Sequence, residues 1–125
     1  MRFRAVAVTV LLVLTLVLAA CGDDGGGEDA DDKPSGDRAA DIAASVESGE
    51  GLPDGAELYA QSCATCHGTD GQGAIGPQLT GVADKMTLPD HVNVVLNGRA
   101  GMPGWGSTLE DDEIAAIIKY EREGL

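Results

Sequence analysis

Cys63-Ala64-Thr65-Cys66-His67 is the stretch that decides how this chain folds. Two thiols three positions apart can add to the two vinyl groups of one haem as thioethers. The adjacent histidine is then directed at the iron as proximal ligand. A zinc half-site is the rival for a CxxC pair, but zinc needs two further ligands at similar spacing, and the sequence offers only His91 and scattered carboxylates. A thioredoxin-like redox pair belongs in a βαβ setting, and nothing in this chain reads as a strand. The pentapeptide therefore predicts one covalent haem c.

Outward from it, the polypeptide reads as helices and loops. Asp54 followed by Glu57 suits a capping box, with Asp54 accepting from first-turn amides of a helix that carries Leu58 and Tyr59 into the CxxCH. Gly68 to Gly81 is a glycine-rich loop. Pro89 suits the first turn of a second helix, with Val92, Val95 and Leu96 inward and Gly98 stopping it. A last helix covers about Glu110 to Glu123, with Ile114, Ile117 and Ile118 on one face and acidic residues 110 to 113 at its positive end. The chain has 125 residues and only four aromatics, Phe3, Tyr59, Trp105 and Tyr120. A core that thin needs a staple, and a buried cofactor serves as one.

The sixth iron ligand must come from elsewhere in the chain. Met86, Met102, His91 and Lys85 are the candidates, or none. Met102 lies in Gly101-Met102-Pro103-Gly104-Trp105, a loop between two expected helices, where an unbranched thioether can reach the iron from the side away from His67. His91, beside Asp90, reads as a surface residue, and Met86 as packing near the haem edge. Arg99 and Trp105 are candidates for contacts with the haem propionates.

Ahead of the domain, Arg2 and Arg4 precede an apolar stretch from Ala5 to Leu18, followed by Ala19, Ala20 and Cys21. This is the layout of an export signal. Ala5 to Ala20 falls short of the ~20 residues a spanning helix needs. Leu18-Ala19-Ala20-Cys21 resembles the lipobox of bacterial lipoproteins, which implies lipidation of Cys21 and cleavage before it. Each of the three cysteines then has its own use, and no disulfide is expected. Gly22 to Gly36, dominated by Gly and Asp, reads as disordered. Ala39, Ala40, Ile42, Ala43 and Val46 form only a weak helical stripe. The division expected is a lipoprotein-type signal peptide at 1–20, a lipidated Cys with an acidic disordered tether at 21–53, and the haem domain at 54–125. The net charge of −13 is concentrated after Cys21. It argues against nucleic acid, which attracts basic surfaces, and favours a basic docking partner or solubility.

Residues 54–125 resemble class I cytochrome c of the short bacterial type. The family's CxxCH is Cys63, Cys66 and His67, its Met-Pro motif is Met102-Pro103, and its glycine-rich stretch ending in Gly-Pro-x-Leu is Gly71, Gly73 and Gly76-Pro77-Gln78-Leu79. The resemblance implies an all-α, cytochrome c-like fold of about three main helices plus loops wrapped around one covalent haem. It implies that the Pro77 carbonyl accepts from His67 and that the first and last helices cross at Gly55, Tyr59, Ile117 and Tyr120. Glu121 departs from the family where the last helix often keeps an apolar residue, so a frayed or partly exposed final turn is expected. The function implied is single-electron transfer, with redox protein partners and a lipid anchor on the outer face of the cytoplasmic membrane. No small-molecule substrate is expected, nor an enzyme activity. A permanent cytochrome subunit of an oxidase or dehydrogenase complex is the alternative, and a haem sensor or enzyme with an open sixth site is a third reading.

Overall fold

The computed structural model describes residues 35–125. The leader at 1–20, Cys21 and the tether through residue 34 lie outside the described residues. Six helices follow in order: α1 (Ser35–Ser48), α2 (Gly55–Ser62), α3 (Ala64–His67), α4 (Val82–Lys85), α5 (Leu88–Asn97) and α6 (Asp111–Glu123). The described residues contain no strand, only an isolated antiparallel bridge between Arg99 and Met102. The all-α expectation stands, with one more large helix than the three expected.

Helices α2, α5 and α6 start where the sequence offers a cap. The Asp54 carboxylate accepts from the amides of Ala56 and Glu57 at 3.0 and 3.1 Å, satisfying donors that α2 itself cannot. Thr87 caps α5 by accepting from Asp90, with Pro89 in the first turn and Gly98 at the far end. The Glu113 carboxylate accepts from the Glu110 amide at 3.0 Å at the start of α6.

Helix α6 is the organising element, because it is buried on two sides. Ile114, Ala115, Ala116, Ile117 and Ile118 are all buried, an apolar arc too wide for a single partner. One side, through Ile117, meets Tyr59 and Cys63 of the α2 region. Here Gly55 is required by close approach: a β-carbon on it would lie 2.1 Å from the Ala116 carbonyl oxygen. The Tyr59 and Tyr120 rings close the crossing, with centroids 5.5 Å apart and tilted by 54°. The crossing implied by the family resemblance is thus in place.

The other side of α6 meets α1 and α5. Ala39, Ile42 and Val46 pack in one cluster with Val92, Val95, Leu96, Ile114, Ala115 and Ile118. Arg38 adds an ion pair to Asp111 at 2.7 Å, and the Lys119 ammonium reaches the Val46 carbonyl at 3.4 Å. The compact part therefore begins upstream of the expected boundary at residue 54, and 35–48 is part of the core, not tether. The stripe on α1 is built of small residues, so its apolar signal is weak until the matching face of α5 and α6 is known.

Candidate haem site

Helix α3 continues almost directly from α2, since Cys63 ends one and opens the other. The Cys63 amide donates to the Tyr59 carbonyl at 2.8 Å, and the His67 amide to Cys63 at 3.0 Å. This short turn brings Cys63, Cys66 and His67 onto the wall of one cavity of about 370 Å³. That volume lies within the range of roughly 300–1,000 Å³ typical of cofactor clefts. Cys63 is buried and Cys66 is exposed, and the two form no disulfide with each other, so both are available for attachment. Burial pushes the Cys63 thiol up to about 12, with the Glu121 carboxylate and Cys66 adding to it.

The proximal histidine is held by the loop that follows. Nδ1 of His67 lies 2.8 Å from the Pro77 carbonyl oxygen. A carbonyl only accepts, so Nδ1 carries the proton and the Nε2 lone pair is left for a metal. The loop is fastened by the Gly76 amide to the Cys66 carbonyl and the Gly73 amide to the His67 carbonyl, both at 2.7 Å. Gly76 is pressed against the ring: a β-carbon there would lie 2.9 Å from Cε1 and 3.0 Å from Nδ1 of His67. Beneath the loop, the Tyr59 hydroxyl donates to the Gly68 carbonyl at 2.7 Å.

Met102 and Met86 both line the cavity and both are half-buried. The loop carrying Met102 is pinned by reciprocal Arg99–Met102 hydrogen bonds of 3.2 and 3.0 Å, and to α5 by the Trp105 amide donating to Val95 at 2.9 Å. Arg99 and Trp105 are in the same wall. Lys85 is not; its ammonium donates to the Thr80 carbonyl at 2.9 Å.

Two expectations are corrected. His91 is not a surface residue but only 3% exposed, because α5 turns it toward α6. Glu121 is 4% exposed, so the final turn of α6 is neither frayed nor open there. The two meet, with Nε2 of His91 2.9 Å from Oε2 of Glu121, in the wall of the same cavity. Helical phase is the signal that could have found them: Glu121 follows Ile114, Ile117 and Ile118 on the buried arc.

The residues present fit a haem. Two thiols, a histidine with Nε2 free and a methionine thioether converge on one apolar cavity. Among the described residues no group of three or more His, Cys, Asp or Glu could hold a bare metal ion, so a zinc site is not built here.

Comparison with known proteins agrees. Residues 50–120 match the family model described as cytochrome C oxidase, cbb3-type, subunit III. Cytochrome c-551 of Bacillus subtilis is 32% identical over 123 residues, covering 98% of each chain. The cbb3-type cytochrome c oxidase subunit CcoP of an Azospirillum species is 38% identical over 80 residues, but this chain matches only 26% of that subunit's length. Cytochrome cL from Hyphomicrobium denitrificans superposes with a TM-score of 0.51 at 28% identity, over 69% of this chain and 51% of its own. The chain belongs to the class I c-type cytochromes. It is an electron carrier with one covalent haem c.

Proposed function

We propose that this cytochrome is a membrane-tethered carrier that shuttles single electrons between respiratory-chain partners outside the cytoplasm. The observation that carries the reading is the convergence of Cys63, Cys66, His67 and Met102 on one cavity. Cys63 and Cys66 would hold the haem through thioethers, His67 and Met102 would ligate its iron, and Pro77 orients His67 through its carbonyl. Arg99 and Trp105, in the same wall, would contact the haem propionates. When bound, the haem supplies a one-electron ferric–ferrous couple. His67 and Met102 together leave no coordination site for a substrate, so the protein does no bond chemistry and is not an enzyme.

Docking is supported by the cavity mouth. Ile75, 87% exposed, is the exposed large hydrophobic residue among those described, and it lines the cavity beside Cys66. An apolar contact there, within a surface of net negative charge, suits transient docking of a basic redox partner. Tethering rests on Cys21 and the lipobox-like residues before it, and no helix among the described residues is long and apolar enough to cross a membrane.

The ferric optical spectrum tests the ligand set. A weak long-wavelength methionine–iron band is expected, lost in Met102→Ala and retained in Met86→Ala. A band that survives without Met102 sinks the assignment, and a band absent from the wild type turns the reading toward a sensor or enzyme. Cys21→Ala is expected to release the haem protein from the membrane fraction. A second reading, a permanent oxidase subunit, is favoured by the cbb3-type family match. Purification in complex with oxidase partners, in place of a free carrier, would select it.

A further inference from the structure

Two buried ionisable side chains line the haem cavity outside the set assigned to hold the haem: His91 of α5 and Glu121 of α6. They approach to 2.9 Å, and neither Glu121 Oε2 nor His91 Nδ1 has a further hydrogen-bond partner among the described residues. No lysine or arginine pairs with Glu121 among the described residues: Arg38 is taken by Asp111 and Lys119 by Glu123.

The charge states of such a pair are few. With one proton shared between them, as imidazolium and carboxylate or as imidazole and carboxylic acid, the pair is neutral. Without it, the pair carries one buried negative charge, which burial penalises. An electron arriving in the same cavity adds a second negative charge at short range in a medium of low dielectric. The combination of an electron and an unprotonated pair is the arrangement most strongly disfavoured.

We propose that the His91–Glu121 pair is a redox-linked proton site, taking up one proton when the haem in this cavity is reduced and releasing it on oxidation. The electron comes from the redox protein donor and the proton from solvent. It forms an N–H bond on His91 or an O–H bond on Glu121, and the summed charge inside the domain is unchanged. By linkage the effect is reciprocal: an electron that tightens proton binding is itself held more tightly when the proton is present. The inference rests on the haem occupying the cavity as a reversible one-electron couple.

Other titratable and charged groups surround the pair: the haem propionates once haem is bound, and on α6 itself Tyr120, which packs on Tyr59, and Arg122, which donates to the Met86 carbonyl. From α2, Glu121 is faced by Tyr59, whose hydroxyl is pushed to about 12, and by Cys63, which no longer titrates once bonded to haem. Cys66, His67 and Arg99 line the same cavity, and the first two are consumed by haem attachment and ligation. On the packed elements α1 and α4, Asp37, Asp41, Glu47, Asp84 and Lys85 are exposed to solvent.

The experiment is the midpoint potential of the haem-loaded full chain from about pH 4 to about pH 9, spanning the range where histidine and carboxylate pairs titrate. The potential is expected to fall with rising pH across one window, by up to about 59 mV for each tenfold drop in proton concentration. The double variant His91→Leu/Glu121→Leu fills the site with apolar groups, a replacement buried pairs commonly tolerate, and its slope there should fall to what the haem propionates alone contribute. A slope undiminished in the double variant overturns the proposal, as does a flat wild type. Histidine nitrogen resonances of the wild type are the second measurement: His91 should titrate at higher pH in the ferrous than in the ferric protein, and identical curves overturn it without any variant. A reversible couple with a pH-independent potential leaves the carrier function intact and removes only the proton site, whereas failure to cycle at all removes both.

Discussion

Nδ1 of His67 lies 2.8 Å from the carbonyl oxygen of Pro77, ten residues along the chain, and Gly76 is wedged against the same ring. A methyl group at Gly76 would displace the ring or the loop, since its nearest ring atom would be 2.9 Å away. Gly76→Ala is therefore expected to destabilise the haem-loaded protein by about 1–3 kcal/mol, the usual cost of overpacking. It should also weaken the Nδ1 hydrogen bond and shift the midpoint potential. A variant with unchanged melting temperature and potential would show that the loop yields freely.

Gly55 is the tighter contact. Its missing β-carbon would lie 2.1 Å from the Ala116 oxygen and 2.8 Å from the carbon, both of them backbone atoms that no rotamer change can move. Gly55→Ala should cost about 3 kcal/mol or more, because helices α2 and α6 must separate. Urea unfolding checks this: the midpoint should fall with little change in slope.

Helix α1 belongs to the core, so Ile42→Ala should destabilise the domain by about 2–5 kcal/mol. Ala40→Ser, on the exposed face of the same helix, should stay within about 0.5 kcal/mol. If both substitutions were neutral, residues 35–48 would behave as tether.

Burial, with the Glu121 carboxylate next in effect, raises the Tyr59 hydroxyl from 10.0 to about 12. The folded protein keeps this proton where the unfolded chain has already lost it. Tyr59 thus contributes stability that is complete below about pH 10 and is lost as pH rises from about 10 to about 12. Urea midpoints measured across that window should decline. Tyr59→Phe should flatten the decline while losing about 1 kcal/mol for the hydrogen bond to the Gly68 carbonyl. An unchanged decline in the phenylalanine variant would place its source elsewhere.

Much of the domain was legible because its signals are local. Asp54, Pro89 and Gly98 mark helix ends through preferences that act within a few residues, and the structure places those ends as expected. The contribution of α1 was not legible, since Ala39, Ile42 and Val46 make a weak stripe whose value depends on Val92, Ile114 and Ile118 far along the chain. His91 and Glu121 were misplaced for a related reason. Charged residues are assigned to surfaces by default, and that default overrode the helical phase that sets Glu121 in line with Ile114, Ile117 and Ile118.

The sequence by itself determined the chemistry of attachment: two thiols and a histidine within five residues admit one haem, whatever the rest of the chain does. It also determined the extent of α2, α5 and α6, whose caps and apolar spacing are short-range. Only the tertiary structure decided which side chains share the cavity with the haem. Met86, Met102, His91 and Glu121 come together from α5, α6 and two loops, and their burial depends on helix crossings set by close contacts such as Gly55 on Ala116. Those contacts join residues dozens of positions apart, and no local pattern in the chain encodes the distance between them.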